Sequence, residues 1–132
     1  MNYKGLIAHW INSSDKDFDI VELLFKNKEY SHCLFFGHLV IEKLLKALYA
    51  KSHPKEPYAP KSHNLLYLAS KCNLELDENT ENRLEHITEF NLSTRYDDER
   101  LIFHKQCTAE FTTAQVDIIK ELRKWLKTLV AR

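Results

Sequence analysis

Two groups of residues in this chain have the types and spacing to do chemistry. The first lies in FNLSTRYDDERLIF, residues 90–103, where Arg95 and Tyr96 run straight into Asp97, Asp98, Glu99 and Arg100. The second is His38, Glu42 and Lys46, set at four-residue steps so that a helix would align them in one polar stripe, with Lys43 adjacent. If the two groups meet, guanidinium and ammonium groups would hold a phosphate while the Tyr96 ring stacks on a base. In that reading His38, Glu42, Lys43, Lys46, Arg95, Tyr96 and Asp98 form an anion or nucleotide site, with Glu42 orienting the cations rather than catalysing. A structural reading stands beside it. The stripe is then a solvated surface, Asp97 or Asp98 bonds loop amides after a helix ends, and Arg95 pairs with a carboxylate while Tyr96 packs.

The elements that must position these residues are helical. All three prolines, Pro54, Pro57 and Pro60, fall in KSHPKEPYAPKSHN, residues 51–64, which must be a loop because proline lacks a backbone donor and disfavours helix before it. Before the loop, residues 29–51 carry Tyr30, Cys33, Leu34, Gly37, Val40, Ile41, Leu44, Ala47 and Leu48 on one wide face. Phe35, Phe36, Leu39, Leu45 and Tyr49 extend that face most of the way round. A helix so apolar must be surrounded by other helices. Near the C-terminus Phe111, Gln115, Ile118, Leu122, Trp125 and Leu129 mark an amphipathic helix from Thr108 to Ala131. Ile7, Ile11, Ser14, Phe18, Val21 and Phe25 mark the first helix, and NSSD at 12–15 predicts a kink or break within it. Ser62 or Asn64 caps a short helix reaching Lys71, and Asp77 caps another running through Tyr96 on a thin stripe of Leu84, Ile87 and Asn91. No segment alternates as a strand does. The expected architecture is a single all-α domain over residues 1–132, an up-and-down bundle of four or five helices.

Composition narrows the function. Apolar and charged fractions of 44% and 29% are those of a globular protein, and nineteen basic against nineteen acidic residues exclude bulk attraction to polyanions without excluding a local basic site. The longest apolar run, residues 33–41, is far short of the roughly 20 residues a membrane span needs, so no membrane association is expected. The N-terminus lacks the apolar core and cleavage site of a secretory signal. Cys33, Cys72 and Cys107 are odd in number and widely spaced, which reads as reduced thiols in a cytoplasm, with Cys33 in the core rather than a nucleophile. Two glycines rule out a glycine-rich phosphate loop. No HxxxH or HExxH occurs, and His53 and His63 have no cysteine or acidic partner at ligand spacing, so neither metal nor other cofactor is expected.

Three pieces together resemble a known family. HLVIEKLLKALYAK is similar to the second helix of HEPN domains, KSHNLLYLAS to their His-polar-Leu element, and FNLSTRYDDE to their Arg-Tyr-(Pro)-Asp motif, with Asp97 in place of the usual proline. The order and spacing fit, and the match covers nearly the whole chain. The resemblance implies a helical bundle that is commonly a homodimer, encoded in many bacteria beside a minimal nucleotidyltransferase in a toxin–antitoxin-like pair. Some members are metal-independent ribonucleases in which four to six residues separate an arginine from a following histidine; others bind nucleotides or a partner protein.

Metal-free cleavage of RNA requires a proton carrier near neutral pH and a cation for the developing phosphorane charge. Here eight residues separate Arg95 from His104 and three separate Arg100 from His104, so neither interval fits, and the carboxylates at 97–99 would repel a phosphate. The expectation is therefore a non-catalytic module that binds a nucleotide, RNA or a nucleotidyltransferase partner. A ribonuclease using Arg95 and His104 is the alternative. Six acidic groups at 75–89 and five basic groups at 120–132 also segregate charge in a way that would bring two copies into register, so a homodimer is expected.

Overall fold

Helical periodicity on both sides of the proline loop produces the whole architecture. The computed structural model describes residues 2–132. Its elements are α1 (Tyr3–Lys26), α2 (Tyr30–Ser52), α3 (Leu65–Ser70), α4 (Glu78–Thr88), a 3-10 turn (Leu92–Thr94), α5 (Asp97–Gln106) and α6 (Ala109–Ala131). No strand occurs among the described residues, and the class is all-α.

The apolar circumference of α2 explains its place. It packs against α1, α3, α4, α5 and α6, and its Leu34, Ile41, Leu44 and Leu45 are fully buried. Each such side chain contributes about 1.5–3 kcal/mol relative to exposure. Gly37 lets α6 approach closely: a Cβ there would stand 2.5 Å from Ile119 Cδ1. Asn64, Asp77 and Thr108 cap α3, α4 and α6 with side-chain oxygens that accept from Tyr67, Thr80 and Phe111 amides.

The break expected at NSSD does not occur; α1 runs unbroken through it. Tertiary partners occupy the polar side chains that would otherwise compete for the helix backbone. Ser14 Oγ donates to the Val40 carbonyl at 2.9 Å, Asp17 accepts from Lys43 at 2.6 Å, and Asp15 takes both Arg123 (3.1 Å) and Lys127 (2.6 Å). The turn into α2 is a Schellman motif: Glu29 N–H reaches the Leu24 carbonyl and Lys28 N–H the Phe25 carbonyl, with Lys28 at φ 60° where glycine is usual.

The segment expected as one helix from Asp77 through Tyr96 is divided. Helix α4 ends at Thr88, and residues 89–96 form a turn through which Phe90 and Leu92 reach the core. Asn91 holds the turn by accepting from Ser93 N–H at 3.0 Å. Arg95 folds back on it, with Nε donating to the Glu89 carbonyl at 2.9 Å and Nη2 donating to the same oxygen. The acidic run therefore opens a helix as well as following one. Asp97, Asp98 and Glu99 form the first turn of α5, where negative charge complements the helix dipole, and the Glu99 carboxylate accepts from Tyr96 N–H at 3.3 Å.

Candidate functional site

The polar stripe of α2 is interior, not solvated. His38 is 0% exposed and Glu42 3%. A buried carboxylate must be paired and hydrogen-bonded, and Glu42 is both. Its Oε1 accepts from His63 Nδ1 at 2.7 Å, and its Oε2 from Lys46 Nζ at 3.0 Å. His63 comes from the end of the proline loop, and its side chain remains half exposed. His38 Nε2 donates to the His63 carbonyl at 2.9 Å, so the proton sits on Nε2 and the buried Nδ1 has no hydrogen-bond partner. Burial pushes the His38 imidazole below its ordinary range; the His63 carbonyl and the Glu42 carboxylate oppose that shift without reversing it. Lys46 lies over the Trp10 ring of α1 at 5.2 Å. Lys43 leaves the stripe for Asp17. The cluster thus fastens the proline loop to the central helix.

Arg95 belongs to a different setting. It lines a notch of about 270 Å³ together with His86, Glu89, Phe90, Phe103 and Phe111. Its guanidinium lies over the Phe103 ring at 5.5 Å. The His86 ring meets Phe90 and Phe111 edge to face at 5.2 and 6.0 Å. Aromatic walls beside a guanidinium are what stacking of a flat ring with an attached anion requires. The notch is smaller than most drug-sized sites yet has room for a single heterocycle.

Structure brings together His38, Glu42 and Lys46, and adds His63. Among the described residues, no hydrogen bond or ion pair joins these to Arg95, Tyr96 or Asp98. Tyr96 is 79% exposed, and Asp98 accepts from the Glu99 amide at 3.0 Å in the first turn of α5. His104 turns away from Arg95: its Nδ1 meets Ser31 Oγ at 3.3 Å, and it lines a second crevice with Asp97 and Arg100. Sequence reasoning missed His86, Phe90, Phe103 and Phe111. The i, i+4 pair His86–Phe90 was a readable signal, but only folding shows that α5 and α6 add Phe103 and Phe111 to it.

The three thiols are buried, and burial pushes Cys33 and Cys107 up to about 11 and Cys72 to about 12. Such thiols stay protonated at neutral pH and are poor nucleophiles.

A protein-family model, described as HEPN domain, matches residues 7–129. No curated protein matches the chain significantly. Among solved structures, the fold is similar to the crystal structure of TT1696 from Thermus thermophilus. The TM-score is 0.77 at 14% identity, covering 98% of this chain and 99% of that one.

Proposed function

The chain belongs to the HEPN domain family, and from that premise we propose that it is a non-catalytic nucleotide- or partner-binding module. The observation that carries this reading is the aromatic notch with Arg95 in its wall. Two of the guanidinium's donor atoms hold the Glu89 carbonyl, which fixes its plane and leaves Nη1 for a ligand phosphate. A base stacks against Phe111 and His86, and the Glu89 carboxylate accepts from ribose hydroxyls or an exocyclic amine. The protein acts in the cytoplasm as a homodimer accessory to a minimal nucleotidyltransferase in a toxin–antitoxin-like pair.

Calorimetric titration with nucleoside mono- and triphosphates tests the binding. Wild-type protein binds at least one of them, Phe111→Ala loses that binding, and Arg95→Met weakens the phosphorylated ligand far more than the nucleoside. Absence of binding at millimolar nucleotide removes the pocket reading. Co-expression with the neighbouring gene product and purification of a stable complex tests the partner. The ribonuclease reading makes a different forecast: growth arrest and RNA fragmentation on expression, both relieved by Arg95→Ala or His104→Ala.

A further inference from the structure

A second charged feature lies away from both clusters, between the outer flanks of α1 and α6. Lys120, Arg123, Lys124 and Lys127 recur at steps of three, one and three, which sets them along one face of α6. With Phe18 and Glu22 of α1 they border an open trough of about 630 Å³. Its cations are not equivalent. The Arg123 guanidinium carbon lies over the Phe18 ring at 4.0 Å and the group donates to Asp15 at 3.1 Å, and Lys127 meets the same carboxylate at 2.6 Å. Lys120 and Lys124 are exposed and, among the described residues, lie within ion-pair distance of no carboxylate. Four cations and one carboxylate, Glu22, line the trough, and Asp15 pairs two of those cations, in a chain whose formal charge is zero. The excess is thus local.

We infer that this trough seats the phosphodiester backbone of a single-stranded nucleic acid, with Lys120 and Lys124 on successive phosphates. The Arg123 guanidinium, backed by Phe18, offers a flat cationic face for a base. Charge alone would also suit an acidic peptide; the braced planar guanidinium is what favours a strand carrying bases. Neutrality of the whole molecule confines the strand to this face, because the acidic α4 repels it elsewhere. The site is independent of the notch at Arg95.

Two phosphate contacts give a slope of about −1.4 in log K against log salt, so affinity falls about sevenfold between about 50 and 200 mM salt. The test is fluorescence anisotropy of a labelled oligouridylate titrated with the full chain across that range, with polyglutamate as competitor. Lys120→Gln/Lys124→Gln changes only exposed side chains and leaves the circular dichroism spectrum intact. It abolishes the salt-dependent binding. Binding that survives the double substitution overturns the assignment, as does absence of binding at the lowest salt. Displacement of the strand by polyglutamate at equal charge concentration would assign the trough to an acidic protein segment instead.

Discussion

The fold contains two ion pairs of almost equal length in opposite surroundings, and they should differ sharply in strength. Lys46–Glu42 spans 3.0 Å with side chains 14% and 5% exposed; Arg83–Glu121 spans 2.9 Å with side chains 30% and 65% exposed. At 3.0 Å the gross attraction in an effective dielectric near 20 is about 5 kcal/mol, and desolvation of the Glu42 carboxylate removes several kcal/mol of it. What survives as coupling is about 2 kcal/mol for the buried pair, against less than about 0.5 kcal/mol for the exposed one. The assay is a double-mutant cycle at each site, Glu42→Gln with Lys46→Met and Glu121→Gln with Arg83→Met, read from urea unfolding at neutral pH. Glu42→Gln alone is the most damaging of the four, because it removes the carboxylate charge that accepts from both Lys46 and His63. A coupling at 42/46 no larger than at 83/121 would refute the claim that burial strengthens the ion pair of the α2 cluster.

Three further outcomes follow from named contacts. An unfolded His38 titrates near 6.5 and the folded one below it, so the unfolded state takes the proton that the native state refuses. Stability is full above that value and falls as pH drops beneath it, by at most about 1.4 kcal/mol per pH unit, until the folded group also protonates. Urea midpoints between neutral and mildly acid pH should show this acid limb, flatter in His38→Gln. Gly37→Ala drives a Cβ onto Ile119 Cδ1 and should cost about 1–2 kcal/mol despite the helix-propensity gain; in an Ile119→Val background the same change should become neutral or stabilising by thermal melting. Lys28→Gly relieves a left-handed backbone at the Schellman turn and should stabilise by about 0.5–1 kcal/mol, seen as a rise in melting temperature.

Much of the bundle was legible in the residues themselves. A face apolar over most of its circumference could only be the middle helix, and α2 is that helix. The α6 stripe and the caps Asn64 and Asp77 are local features with local causes, and each stands where the pattern put it. The α4–α5 break was not legible, because no glycine or proline marks it. A guanidinium reaching back six residues to a carbonyl closes that turn, and burial of Phe90 and Phe103 fixes its direction. The unbroken α1 is the converse case, with serine and aspartate tolerated because α2 and α6 supply their partners.

The functional residues divide the same way. Sequence by itself determined which residue types were present and that His38, Glu42 and Lys46 share a face, since helical spacing alone decides that. Tertiary structure decided that the face is buried, that His63 completes it, and that Arg95 turns to an aromatic notch while His104 turns to Ser31. The physical reason is range: periodicity and capping act over a few residues, whereas the surroundings of a charge depend on elements remote in the chain.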